Sequence, residues 1–164
     1  MDADFAGLWS FEDNQDPVCI KSRMGYVLTF GGCPLLWASK LQTEIALSTM
    51  EAEYIALSQS MRDVIPTKSL IKEVLSHLGV SLEGVCTHST IFEDNNGALT
   101  LANAPKMTPR SKHIGIKYHF FREHVKKKTV KIVYVCSDLQ KADFFTKGLP
   151  VPKFQIMRKL LMGL

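Results

Sequence analysis

No two of the four cysteines, Cys19, Cys33, Cys86 and Cys136, stand at C-x-x-C spacing. A zinc ribbon or thioredoxin-like centre is therefore not indicated, and reduced thiols are the expectation. The five histidines do not repair a zinc site. His119 and His124 are five residues apart, which does not stack them as i, i+4 ligands on a helix. No apolar run reaches membrane length and no signal- or transit-peptide pattern is present, so no membrane partner and a cytoplasmic setting are expected. Repeats and low-complexity segments are missing as well. Acids are scarce in one place. Between Pro105 and Lys131 nine Lys/Arg (Lys106, Arg110, Lys112, Lys117, Arg122, Lys126, Lys127, Lys128 and Lys131) meet a single acid, Glu123. Such a block fits a polyanionic partner, although a solvated helix face has the same composition.

What is present is ordinary for one globular domain. The 164 residues are 46% apolar and 22% charged, with a net charge of +4. That length leaves room for a sizeable core. The chain is organised around Leu47–Ile65, LSTMEAEYIALSQSMRDVI, where Met50, Tyr54, Leu57, Met61 and Val64 share one helical stripe. Ser48 followed by Glu51 reads as a capping box, which gives Glu51 a structural job. Glu53 has no such job and lies at the border of the apolar stripe, where a carboxylate is costly unless paired or coordinated.

In chain order, Met1–Gly7 offers a short strand carrying Asp2 and Asp4, and Leu8–Lys21 a polar loop. Met24–Phe30 is a strand that ends on the hairpin signal Gly31-Gly32, and Leu35–Leu47 brings the chain back to the central helix. Pro66 is expected to kink or end that helix, and Gly79 to cap its continuation. Thr90–Asp94 is a short strand ending on an acid, and NNGALTLAN opens a helix directly after it. Ile114–Lys128 is a basic helix, Val130–Val135 a strand, and DLQKADFFTKG a last helix capped by Ser137 and Asp138. After Pro150 a short amphipathic helix is expected. Antiparallel strands followed by β-α-β crossovers imply an α/β chain, a mixed sheet with helices packed on it. Sites in such sheets collect at the C-terminal ends of neighbouring parallel strands.

Four acids fall in suggestive places: Asp2, Glu53, Asp94 and Asp143. Carboxylates brought together without a compensating Lys or Arg repel one another, and hard divalent cations are their natural counter-charge. Two Mg²⁺ ions ~4 Å apart can activate water and stabilise a leaving phosphodiester oxygen. The residues permit this cluster without demanding it. Acids scattered over a solvated surface remain the simpler reading on this ground alone.

STMEAEYIAL, IFEDNNGAL, SKHIGIKYHFFREHV and KADFFTKGL, in that order after DADFAG, closely resemble the RNase H domain of Ty1/copia-type retrotransposon polyproteins. The resemblance runs from Asp2 to about Leu149. It implies an RNase H-like fold, a five-stranded mixed sheet flanked by helices. The expected organisation is one domain over residues 1–149, its first strand truncated at the start, with a tail over 150–164. The implied activity is hydrolysis of the RNA strand of an RNA–DNA hybrid by two Mg²⁺ ions, with Mn²⁺ as a substitute. An upstream reverse transcriptase domain and a virus-like particle or nucleoprotein context are implied with it.

Carried onto this chain, the D-E-D-D set is Asp2, Glu53, Asp94 and Asp143, as catalytic residues and metal ligands together. Asp4 is the weaker candidate for the first position, because Asp2 precedes the small Ala3 as the family's acid does. Arg110, Lys112 and His113 are expected to touch backbone phosphate of the substrate, and the wide minor groove with its 2′-hydroxyls to tell RNA from DNA. His119 is expected to pack against the Tyr118–Phe121 aromatic patch, and Lys126–Lys128 to keep the surface soluble. Two departures stand out. The loop Cys136–Ala142 lacks the His that many RNases H carry there, which implies weaker turnover. The first strand is short, which favours a competing reading: an impaired or captured domain that binds nucleic acid or protein without cutting. A related integrase or transposase is a distant third, since those use a D-D-E order.

Overall fold

The computed structural model describes residues 1–10, 16, 18–83, 88–104 and 120–163. Their elements are β1 (Asp2–Ala3), β2 (Arg23–Phe30), β3 (Cys33–Leu41), α1 (Thr49–His77), β4 (Ser89–Glu93), α2 (Asn96–Asn103), α3 (Phe120–Lys126), β5 (Val130–Tyr134) and α4 (Val151–Met162). Two 3₁₀ helices, Ser137–Leu139 and Lys141–Phe145, lie between β5 and α4. The substrate-contact candidates Arg110, Lys112 and His113, together with His119, Tyr118 and Cys86, lie outside the described residues. Among the described residues no helix is long and apolar enough to cross a membrane.

Local signals set most element ends. β2 and β3 are antiparallel and turn over Gly31 and Gly32, at φ +60° and +84°. Both turn residues occupy the left-handed region, which matches the right-handed twist of the strands they join. At the start of α1 the Ser48 hydroxyl accepts from Glu51 N at 3.1 Å, and Glu51 Oε2 accepts from Leu47 N at 2.9 Å. The expected capping box is present, displaced by one residue on its return bond. At the far end Gly79 takes φ +75°, with Gly79 N donating to Ser76 O and Val80 N to Leu75 O. That pair of bonds is a Schellman motif, which needs a residue free to enter the left-handed region.

The first half of α1 is buried on nearly every side. Ala52, Tyr54, Leu57 and Met61 are almost fully enclosed, as are Ser58 and Ser60 off the apolar stripe. The helix touches β1 and β2 on one side and α2 on another, so the single stripe read from the sequence is too narrow a description. The Tyr54 ring meets the fully buried Phe121 of α3 at a centroid distance of 5.3 Å and a tilt of 55°.

Pro66 does not break this helix. α1 runs through it as one element of 29 residues, about 43 Å long. Arg62 and Pro66 are both exposed, so the carbonyl that loses its amide partner lies on the water-facing side, where its loss is tolerated. Tolerated is not favourable. Pro66→Ala is expected to raise stability by about 1–3 kcal/mol, since it restores a helical hydrogen bond. Thermal unfolding checks this; an unchanged or lower midpoint would mean that the ring makes compensating contacts.

The five strands form two sheets. β1-β2-β3 is antiparallel, and β4-β5 is a parallel pair in the register Ser89↔Val130 to Glu93↔Tyr134. The fold is mixed α and β as expected, but a single five-stranded sheet is not what the pairing gives. β1 pairs with β2 only at Asp2↔Gly25 and Ala3↔Met24, too short a strand to build a ladder to β4. One bond spans the divide, Met1 N donating to Phe92 O at 3.2 Å. The expected last helix, DLQKADFFTKG, is also different. It forms the two short 3₁₀ turns, which Gln140 separates at φ −71°, ψ 98°. Gln140 then caps the second turn by accepting from Ala142 N.

Candidate active site

Asp2 lies on β1, Glu53 on the buried half of α1, Asp94 one residue past β4, and Asp143 in the second 3₁₀ helix. Sequence separation is no guide to their positions in space. Asp2, Asp94 and Asp143 each offer a carboxylate oxygen within 4.8 Å of the others, and so do Glu53, Glu93 and Asp94. Asp94 belongs to both groups, so all four predicted acids converge. Asp2, Glu53, Asp94 and Lys147 line one open cleft of about 550 Å³.

Each arm is held by its own local chemistry. Asp2 is fully buried and accepts a short bond from the Thr146 hydroxyl. Asp94 Oδ2 accepts from the Ser137 hydroxyl at 2.8 Å. The following residue, Asn95, caps α2 by accepting from Ala98 N at 3.0 Å, so Asp94 sits at a fixed strand-to-helix corner. Glu53 accepts from the backbone N–H of Ala3, which ties α1 to β1. The 3₁₀ segment that carries Asp143 comes close to β2 because β2 has a glycine there. A Cβ on Gly25 would stand 2.6 Å from Phe145 Cβ and 2.9 Å from Thr146 Cγ2, closer than real carbons approach.

Two features of the site were not foreseen. The first is Glu93, fully buried and part of the cluster. Its Oε1 accepts from Asn95 N at 2.9 Å. The strand alternation carried a signal for it: Ile91 and Glu93 occupy the inward positions of β4, and an acid inside a two-residue period is anomalous. The second is compensating charge beside the acids. Lys147 Nζ lies 3.0 Å from Asp143 Oδ1 and 3.3 Å from Asp2 Oδ1. Lys153 Nζ lies 2.7 Å from Asp143 Oδ2. Asp4 stays out of the cluster and spends its carboxylate on Arg23 N.

These partners divide the acids electrostatically. Burial works against the Asp143 charge, but the ammonium groups of Lys153 and Lys147 outweigh it and hold the carboxyl below its ordinary range. Burial also disfavours the Lys147 ammonium, yet Asp2 and Asp143 pull its pKa well above the usual lysine value. Asp2 is raised by burial, against the Thr146 hydroxyl. On the other side of Asp94, burial and the nearby Glu93 push Glu53 up to about 10. Burial likewise lifts Glu93 to about 7. Three buried oxygens, Glu53 Oε2, Glu93 Oε2 and Asp94 Oδ1, have no hydrogen-bond partner. They belong to one of the two acid groups. Unpaired acceptors of this kind are costly to bury. A hard divalent cation with oxygen ligands fits that donor set.

A pH dependence follows. Glu53 and Glu93 bind protons more tightly folded than unfolded, from an ordinary value of 4.5 to about 10 and about 7. Their contribution to stability is complete below the unfolded value and is lost as pH rises through the folded ones. Asp143 runs the other way: its lowered pKa adds stability above the ordinary carboxylate range, lost as pH falls through the folded value. Without divalent ions the melting temperature is thus expected to decline from about pH 5.5 to about pH 8.5, by roughly 5 °C or more. Saturating Mn²⁺ is expected to flatten that decline, because it favours the ionised acids. A melting temperature that stays level in chelator would show that the two glutamates are not held as described.

The chain is 34% identical over 160 residues to the retrovirus-related Pol polyprotein from transposon TNT 1-94 of Nicotiana tabacum, covering 98% of this chain and 11% of the relative. It is 35% identical over 154 residues to the Pol polyprotein from transposon RE1 of Arabidopsis thaliana, covering 94% and 10%. The corresponding protein from transposon RE2 of the same plant is 35% identical over 155 residues, with the same coverage. The chain therefore spans about a tenth of the length of these curated relatives. No protein-family model matches it, and no solved structure does.

Proposed function

We propose that this chain, homologous to a segment of retrovirus-related Pol polyproteins of plant transposons, is their ribonuclease H. It hydrolyses the RNA strand of an RNA–DNA hybrid, beside a reverse transcriptase domain in the same polyprotein. One observation carries this reading: Asp2, Glu53, Asp94 and Asp143, far apart in the chain, come together in two overlapping acid groups that share Asp94, and the first three line one cleft. Acids scattered over a solvated surface do not do this. The resemblance of STMEAEYIAL, IFEDNNGAL and KADFFTKGL to RNase H motifs supplies the reaction class.

In this reading Asp2, Glu53, Asp94 and Asp143 hold two Mg²⁺ ions, which when bound supply an activated water and charge neutralisation at the scissile phosphate. Glu93 holds Asn95 N with one oxygen and turns the other toward Glu53 and Asp94. Ser137 and Thr146 orient Asp94 and Asp2 by hydrogen bonds, as groups behind metal ligands commonly do. Lys147 and Lys153 moderate the repulsion among the acids. Phe5, Gly7 and Thr49 also line this open cleft, which in this reading receives the hybrid duplex. Arg110, Lys112 and His113 are assigned to the phosphate backbone of that duplex.

The test is cutting of an end-labelled RNA–DNA hybrid with Mg²⁺ or Mn²⁺, against chelator and against the same sequence as duplex DNA. Divalent-dependent cutting of the RNA strand alone is expected. Binding without cutting in both metals would favour the captured-domain reading instead.

A further inference from the structure

Glu93 is not one of the four acids carried over from the family motifs, and half of its carboxylate has no structural duty. Its Oε1 accepts from Asn95 N at 2.9 Å. Its Oε2 is buried without a hydrogen-bond partner. The start of α2 does not call for a second acid, because Asn95 already caps that helix through Ala98 N. Glu93 and Glu53 are 0% and 6% exposed, and each keeps one buried oxygen unpartnered. Asp94 has a third such oxygen in Oδ1. The three side chains offer one carboxylate oxygen each, all within 4.8 Å of one another.

The two acid groups differ in their counter-charge. In the outer group, Asp2, Asp94 and Asp143, the ammonium groups of Lys147 and Lys153 lie 2.7 to 3.3 Å from Asp2 and Asp143. Among the described residues no ion pair reaches Glu53, Glu93 or Asp94. The Met1 ammonium acts on Glu93 electrostatically, but its hydrogen bond goes to Phe92 O at 3.2 Å. A cation entering the outer group must therefore compete with two lysines, and one entering the inner group displaces none. Glu53 and Asp94 line the open cleft, while Glu93 is fully buried behind them. An ion held by all three gives up much of its water. Mg²⁺ does so reluctantly and usually keeps several waters on one or two carboxylates. Mn²⁺ carries the same charge, suits the same oxygen ligands and is less demanding.

We infer that Glu53, Glu93 and Asp94 form an inner cation site that takes Mn²⁺ in preference to Mg²⁺ and fills before the outer group. Glu93 is the residue that sets this preference, as the third carboxylate at the closed end. The inference rests on the ribonuclease reading for Glu53 and Asp94 as metal ligands; the part played by Glu93 and the choice of ion go beyond it.

The experiment titrates the whole 164-residue chain with Mn²⁺ in a calorimeter, alone and against a Mg²⁺ background, with no nucleic acid present. The parent is expected to bind a first Mn²⁺ about tenfold more tightly than a second, and about tenfold more tightly than Mg²⁺ at the same site. Glu93→Gln keeps an oxygen for Asn95 N and removes the third carboxylate. It is expected to weaken the first Mn²⁺ by about 10- to 100-fold and to reduce the preference over Mg²⁺ to about threefold or less. Asp143→Asn alters the outer group alone and is expected to leave the first Mn²⁺ within about threefold of the parent. Parent-like binding by Glu93→Gln would overturn the inference, and so would loss of the first Mn²⁺ in Asp143→Asn. Should Glu93→Gln fail to melt cooperatively in chelator, the parent decides: a first ion that Mg²⁺ displaces as readily as Mn²⁺ does would overturn the inference as well. A parent that binds Mn²⁺ as described and cuts no hybrid would bear out the inner site and count against the ribonuclease reading alone.

Discussion

Asp94→Asn is expected to lower divalent-dependent cutting of the hybrid by about 10³-fold or more, while leaving the fold intact. The choice of residue follows from the geometry. Asp94 is the acid that both clusters share, so losing its charge weakens both halves of the site. Asparagine keeps the size, and its amide still reaches the Ser137 hydroxyl that positions the present carboxylate at 2.8 Å. The melting temperature in chelator should therefore hold or rise, because one of the mutually repelling charges is gone. Mn²⁺ should raise it less than in the parent. Equal cutting by variant and parent would trace the activity to a contaminant and end the ribonuclease reading.

The largest effect on stability is expected from Phe121→Ala, about 3–5 kcal/mol, or roughly 10 °C in melting temperature for a chain of this size. Phe121 is fully buried and its ring packs against Tyr54. Truncation leaves a void between α3 and α1 that neither helix is free to close, since α1 is pinned on its other side by β1 and β2. Glu53 precedes Tyr54 on the same turn, so the loosening reaches the acids as well, and Mn²⁺ should bind more weakly to this variant. Leu70→Ala, on the exposed half of the same helix at 59% accessibility, should cost well under about 1 kcal/mol. Similar losses from both substitutions would refute the division of α1 into a buried and an exposed half.

The contrast between those halves bears on what the sequence could reveal. Signals that act within a few residues were legible: the Ser48–Glu51 cap, the Gly31-Gly32 turn, the Gly79 terminus and the Asn95 start of α2 each depend on near neighbours alone. Pro66 misled because its cost depends on where the freed carbonyl points, a fact of the tertiary structure. The segment DLQKADFFTKG read as one helix because its residues favour one, yet Gln140 holds an extended conformation between two turns. Among the acids, the residue types and the family motifs pointed to Asp2, Glu53, Asp94 and Asp143, which the structure brings together in two groups sharing Asp94. The cations that accompany them were not legible. Lys147 and Lys153 meet Asp143 from four and ten residues away, and Lys147 meets Asp2 across 145; no pattern of period two or 3.6 reports such a distance. Glu93 was hidden for another reason: its neighbour Asp94 matched the motif, and adjacent acids on one strand are expected to face opposite ways, whereas Asp94 lies past the end of β4 and joins Glu93 in one group.

Helix α4 is wired into this arrangement more closely than its place near the end of the chain suggests. Lys153, in its first turn, bonds both Asp143 and the Ser137 carbonyl. Next to it Phe154 stacks on Phe144 with centroids 4.9 Å apart. Met157 and Leu161 are buried beneath. A purification tag, a protease nick or a trimmed gene boundary at about residue 149 would therefore not be a neutral convenience. It would strip one counter-ion from Asp143 and uncover an aromatic ring, and whoever assayed the shortened protein would be measuring a different molecule.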